Sequence, residues 1–118
     1  MATIANQEIS ESGIADPTFT ACDAGGDDWE NNGTNFIVIK NDTEATTITI
    51  TFTATTTSFD SPTYGPSTKA NRTIEVDGQK VAFIGPFEPA AFNDADNLVA
   101  ITYSAVTNLS IAVFTLGT

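Results

Sequence analysis

The densest group of chemically active side chains lies in one acidic, glycine-containing segment, residues 23–33 (DAGGDDWENNG). It holds four carboxylates, and calcium prefers oxygen ligands of this kind. The spacing, however, matches neither an EF-hand loop nor the calcium-binding nonapeptide repeat. We therefore favour a solvated turn, with Trp29 folded onto the edge of the domain, over a metal site. No metal or cofactor is predicted.

A second pair of carboxylates, Asp94 and Asp96, lies in the polar segment 93–97 (NDADN). Carboxylates two residues apart can bind metal or perform acid–base chemistry, but Asn and Asp also build turns. The chain has no histidine, which removes the usual general base and the commonest metal ligand. It also has no phosphate-binding loop, nucleophile elbow or dinucleotide fingerprint. We interpret segment 93–97 as a turn and the chain as a non-enzymatic protein.

The single cysteine, Cys22, cannot form an internal disulfide. The carboxylates that follow it would raise the thiol pKa, so a small buried residue is favoured over a reactive thiol.

The charge balance limits the partners. Four Lys and Arg against 15 Asp and Glu give a net charge of -11, which would repel a phosphate backbone and argues against nucleic acid. No apolar run approaches the ~18 residues of a membrane span, and the N-terminus lacks a signal-peptide pattern. We expect a protein that is made in a cytoplasm, stays soluble and binds no membrane.

Strict alternation marks the clearest strand, residues 46–55, in which apolar side chains alternate with threonines. This period of two puts the apolar residues on one face and a threonine ladder on the other. The continuous apolar run 36–39 (FIVI) predicts a central strand that is covered on both faces.

Two hairpins are predicted further along the chain. Asp77-Gly78 is typical of a type I′ turn with positive φ at both residues, and would pair Val76 with Gln79. Segments 98–103 and 109–116 would form a closing hairpin. Between the two hairpins, Pro89 predicts one short helical turn.

These elements amount to about seven or eight short strands. They predict an all-β, single-domain antiparallel β-sandwich or jelly-roll-like fold with at most one helical turn. We expect residues 1–22 to form an N-terminal arm or edge strands and residues 23–118 to form the β-sandwich domain.

The connection 56–71 is the most suggestive interaction segment. Its sixteen residues exceed the ~12 to 15 at which unstructured loops become uncommon. Phe59 and Tyr64 lie in it, and aromatic side chains are enriched among interface anchors. Either they fold back over the core or they contact a partner. With Trp29, they are the interface candidates of the sequence.

The motifs also resemble a family. Residues 24–33, 35–41 (NFIVIKN), 84–87 (IGPF), Phe92-Asn93 and 99–104 (VAITYS) look like those of small capsid decoration, or cement, proteins of tailed bacteriophages. The resemblance covers roughly residues 21–116. It implies a β-sandwich, often trimeric, that sits on the outer surface of an icosahedral head and clamps subunits of the major capsid protein.

Three other functions stay open. A component of the head–tail junction or tail would use the same fold and acidity. A carbohydrate-binding or adhesion module would need exposed sugar-stacking aromatics, for which Trp29 and Tyr64 are the plausible pair. An enzyme would need Asp94 and Asp96 in a cleft, and the sequence supplies no substrate-binding framework around them.

Overall fold

The computed structural model describes residues 2–14, 17–55, 58–61, 65–68 and 71–116, with the backbone alone for residues 2, 58–61 and 65–68. Over these residues the chain is all-β, as predicted, with twelve strands and one short helix. The strands are β1 (Ala2–Ile4), β2 (Asn6–Ile9), β3 (Thr20–Ala21), β4 (Asp27–Glu30), β5 (Asn35–Asn41), β6 (Ile48–Phe52), β7 (Ser58–Ser61), β8 (Gly65–Thr68), β9 (Arg72–Val76), β10 (Lys80–Ile84), β11 (Leu98–Tyr103) and β12 (Leu109–Leu116); the helix is α1 (Pro89–Phe92).

Two sheets face each other across one core. Sheet I has the strand order β1-β4-β11-β6-β9, and sheet II has the order β10-β5-β12-β2, with β3 also paired to β12. The pairs β1–β4 and β2–β12 are parallel, so both sheets are mixed. The antiparallel arrangement holds for the other described pairs of both sheets. The strands of segment 1–22 thus lie on the borders of the sheets or against β12.

The two strands that the sequence marks most clearly lie inside the sheets. In β6, between β9 and β11, Ile48, Ile50 and Phe52 are fully buried while the threonines between them lie on the other face. In β5, between β10 and β12, Ile37 and Ile39 enter the core. Both assignments are confirmed, because a pattern of period two reports directly on the face that a strand buries.

The hairpin predicted at Asp77-Gly78 is wrong. β9 pairs with β6 in sheet I and β10 pairs with β5 in sheet II, so the turn joins two sheets. The Lys80 amide donates to the Asp77 carbonyl (3.2 Å), and the left-handed residue is Gln79 (φ 65°), with Gly78 outside that region. Glycine is required at position 78 because backbone atoms leave no room there for a side chain. A Cβ there would lie 2.9 Å from both the Thr43 carbonyl oxygen and the Ala45 nitrogen.

The buried Asn41 ties this turn to the end of β5. Its Nδ2 donates to the carbonyls of Thr46 and Val76, both at 2.8 Å. Its Oδ1 accepts from the Thr43 amide (3.1 Å) and the Thr43 hydroxyl (2.6 Å). This one amide side chain, at the end of β5 in sheet II, therefore satisfies a carbonyl of β9 in sheet I and backbone groups of the segment that leads to β6.

The predicted closing hairpin is also wrong. β11 pairs with β4 and β6 in sheet I, whereas β12 pairs with β5, β2 and β3 in sheet II. The connection between them carries the chain across the sandwich, and Val106 packs against the core. Both strands bury one face in the same core from opposite sides, so alternation alone does not separate this arrangement from a hairpin.

The short helix and the turn after it are confirmed. α1 begins at Pro89 and buries Phe92. In segment 93–97, Asp94 Oδ1 accepts from the amides of Asp96 (2.8 Å) and Leu98 (3.0 Å), which is the Asx-type turn expected of this composition. No helix in the described part of the chain is long and apolar enough to cross a membrane.

Candidate functional site

Trp29 is a core residue of this fold. Its side chain is fully buried on β4 and packs edge-on against Phe52 (ring centroids 5.9 Å) and Phe87 (5.3 Å). The expected position on the edge of the sandwich is therefore wrong. A side chain with no exposed surface offers nothing to a partner, and Trp29 is removed from the interface candidates.

The acidic segment 23–33 uses its carboxylates in separate structural contacts. The fully buried Asp27 accepts from the Tyr103 hydroxyl (2.7 Å) and the Asp23 amide (3.1 Å). Asp28, on the opposite face of β4, accepts from the Thr3 hydroxyl (2.7 Å). Across the described residues, no group of three or more Cys, Asp or Glu side chains is arranged to hold a metal ion.

Cys22 lies beside this buried carboxylate. Its side chain is 8% exposed, and burial raises the pKa of the thiol to about 12. Burial raises the pKa of Tyr103 as well. The prediction of a buried thiol is confirmed, and the high pKa leaves the neutral, unreactive form at neutral pH.

The carboxylates Asp94 and Asp96 are exposed on a turn that is anchored by a pair of amides. Asn31 Nδ2 donates to Asn93 Oδ1 (2.8 Å) and to the Phe87 carbonyl (3.1 Å), while Asn93 Nδ2 donates to the Asn31 carbonyl (3.0 Å). This reciprocal contact ties the end of the acidic segment to the end of α1. Asn31 and Asn93 therefore have a structural role.

The connection 56–71 contains a small hairpin, because β7 and β8 pair with each other and with no other described strand. Phe59 lies on β7, opposite Ser67 in the register. Its side chain lies outside the described residues, as does the whole of Tyr64. The role of these two aromatics at an interface stays a prediction.

Among the side chains that the structure describes, the most exposed apolar ones include a group on the side of sheet II that faces away from the core. Alternation along β10, β5, β12 and β2 places a second apolar set there, which we term the outer face. Its apolar side chains are Val81, Phe83, Phe36, Val38, Ala112, Phe114, Leu116 and Ile9. Phe83 is 71% exposed, Leu116 67% and Val81 53%.

The outer face is covered unevenly. Phe36 stacks on Phe114 (5.5 Å) and on Phe83 (6.4 Å), forming an aromatic row across three strands. Over β12, the N-terminal arm covers this row with Ile14 and Phe19, whose ring meets Phe114 edge-on at 6.5 Å. Over β10, Val81 and Phe83 are left exposed to solvent.

The outer face also differs in charge from the rest of the protein. In the described strands of sheet II, the outward side chains include a single charged group, Lys40, and no carboxylate. The Lys40 ammonium lies 4.5 Å from the Phe19 ring centroid, a cation–π contact. In a chain of net charge -11, this surface is apolar and slightly positive.

Comparison of the chain with protein-family models, with curated proteins and with solved structures finds no match. Because these comparisons indicate no site, we define the candidate site by the exposed apolar part of the outer face. The sequence contained a signal for it, because the run 36–39 predicts a strand apolar on both faces. For Val81 and Phe83 the sequence signal is their alternation with Ala82, which does not show whether their face is covered.

Proposed function

We propose that the chain is a capsid decoration protein that binds the outer surface of an icosahedral phage head as a homotrimer. It stabilises contacts between subunits of the major capsid protein. The observation that supports this proposal most is the exposed, carboxylate-free part of the outer face around Phe83. Contiguous exposed apolar surface on a soluble domain marks sites of protein interaction, and the sequence motifs favour a capsid as the partner.

The proposed mechanism is binding alone. Phe83 and Val81 act as apolar anchors, since a few central side chains carry most of the energy of an interface. Several weak contacts in one oligomer, repeated over the lattice, give an avidity beyond that of one contact. Because the protein binds the assembled shell, it shifts the equilibrium away from rupture. The acidic remainder of the surface keeps the decorated particle soluble.

The carbohydrate-binding alternative loses one of its two supporting residues. It requires exposed aromatics for sugar stacking, and Trp29 is fully buried. A tail or head–tail role would use the same surface, and the distinction lies in which assembly the protein joins.

The test is sedimentation with capsids. Decoration-free shells are assembled from the major capsid protein encoded in the same genome, mixed with the purified protein and pelleted, and the mass of the free protein is measured by light scattering. We expect a trimer that pellets with the shells. A protein that stays in the supernatant with shells but pellets with isolated tails would overturn the proposal in favour of the tail alternative.

Two variants test the surface. Phe83→Ser removes an exposed ring whose burial contributes about 1–2 kcal/mol, so we expect shell affinity to fall roughly five- to thirtyfold. Thr102→Ser, an exposed change on β11 of sheet I, is the matched control and should bind as the unchanged protein does. Equal melting temperatures verify that both variants fold. Undiminished binding by Phe83→Ser would remove the outer face from the contact.

A further inference from the structure

β10 ends sheet II and has one paired side. Its five residues pair with β5 from Lys80 opposite Asn41 to Ile84 opposite Ile37. On its other side, no strand in the described part of the chain pairs with it. An unpaired edge presents a row of backbone N–H and C=O groups that can template another strand.

The neighbouring edge strand β9 shows what a protected edge looks like in the same molecule. β9 ends sheet I and exposes Thr73 and Glu75, a polar and a charged side chain. β10 exposes Val81 and Phe83 and contains no proline that would block pairing. Charged side chains and proline usually prevent the addition of a strand. β10 has neither at Val81 or Phe83, the two exposed positions between its ends.

We propose that β10 is the docking edge for an extended segment of the partner, which adds to sheet II as a further strand. Backbone hydrogen bonds along β10 supply affinity in this mode, and alternate side chains supply specificity. The added strand places apolar side chains beside Val81 and Phe83. This inference rests on the proposed function, in which the partner is the major capsid protein, and it specifies how that partner is bound.

The lysines at and beside β10 indicate which charge the partner segment would carry. Lys80 begins β10 and is exposed, and Lys40 lies beside Val81 in the register. Lys40 lies on the outer face with Val81, whereas Lys80 points to the opposite face of β10. Both cations are at the same end of the strand, so a carboxylate on the partner segment at that end would be favoured. A second copy of this chain fits less well, because its own β10 contains no carboxylate to pair with these cations.

Hydrogen exchange on the shell-bound protein tests the backbone part of the inference. With decoration-free shells as the probe, the β10 amides that point away from β5 should exchange at least about tenfold more slowly on binding. The amides of β9 serve as the internal control and should be unchanged.

Two further variants test the side chains. We expect Phe83→Asp to weaken pelleting at least about thirtyfold, as expected of a central anchor. Lys80→Glu should weaken it on the order of fivefold, with a loss that shrinks at high salt. Glu75→Lys is the matched charge change on the protected edge and should not weaken pelleting.

The outcomes separate the two proposals. If Phe83→Asp abolishes pelleting while the β10 amides of bound protein exchange as in free protein, strand addition is wrong and docking through the outer face stands. If the β10 amides become protected in the free protein as its concentration rises, with a matching gain in mass, the occupant is a second copy. If unchanged protein fails to pellet, the proposed function itself is overturned.

Discussion

The turn between β9 and β10 runs so close to segment 43–45 that position 78 has no room for a side chain. A Cβ on Gly78 would lie 2.9 Å from the Thr43 oxygen, 2.9 Å from the Ala45 nitrogen and 3.0 Å from the Ala45 Cα. All three are backbone atoms, and side-chain hydrogen bonds hold Thr43: Asn41 accepts from its amide, and Gln79 donates to its carbonyl at 2.9 Å. We therefore predict that Gly78→Ala destabilises the fold.

The magnitude follows from two opposing terms. Forcing a methyl group into a packed site typically costs about 1–3 kcal/mol. The reduced freedom of the unfolded chain returns about 0.4–1 kcal/mol for a Gly→Ala change without strain. The expected net loss is about 1–2 kcal/mol, which lowers the melting temperature of a domain of this size by roughly 4–8 °C.

Thermal and urea unfolding of the two glycine variants test this reasoning. The control is Gly13→Ala, because a Cβ at Gly13 has no atom within 4 Å. The positive φ of 82° at Gly13 alone should cost an alanine there about 1–2 kcal/mol, so this variant measures backbone strain without a close contact. A Gly78→Ala protein that melts at or above the unchanged protein would show that segment 43–45 yields freely, and the steric account would be refuted.

Three other changes probe buried polar groups. Asn41→Asp replaces the donor to the Val76 carbonyl by an acceptor, so we expect a loss of at least about 2–3 kcal/mol in urea unfolding. Tyr103→Phe removes a donor to the buried Asp27, and should cost about 1.5–3 kcal/mol by the same measurement. Above about pH 8.5 the unfolded Cys22 thiol ionises while the folded thiol, with a pKa of about 12, does not, so stability falls as pH rises between these values. Cys22→Ala should flatten the alkaline limb of the curve of melting temperature against pH.

Each of these has a contrary result. Asn41→Asp as stable as the unchanged protein would mean that water replaces the amide at the crossover. An unaltered free energy of unfolding in Tyr103→Phe would mean that other donors suffice for Asp27. An alkaline slope identical with and without Cys22 would assign the loss to other groups.

The sequence patterns predicted those features that depend on residues close together in the chain. The alternation in β6 and the apolar run in β5 report which faces are buried, and Pro89 and the Asp94 turn depend on neighbouring residues alone. Each of these assignments agrees with the structure. The two hairpin predictions are wrong because the sheet that a strand joins depends on partners distant in the sequence. Strands β9 and β10 bury one face each, as hairpin partners would, yet they belong to opposite sheets.

The candidate site was harder to predict for the same reason. Trp29 looked like a residue of a polar segment, but β1 and β11 flank β4 and carry it into the core. Phe83 lies in no motif of the sequence, and it lies on the outer face because β10 is the end strand of sheet II. Whether an apolar side chain is covered depends on which segment crosses it, and the arm covers Phe114 and leaves Phe83 exposed.

The position of β12 has a consequence for the order in which the protein can fold. β12 holds β5 on one side and β2 and β3 on the other, and the register places Asn6 beside Val113. During synthesis β2 and β5 emerge long before their shared partner, so sheet II forms late and through contacts distant in sequence, which are slow to form. Until β12 arrives, the apolar β5 lacks one neighbour, and this interval is when the nascent chain is most prone to aggregation.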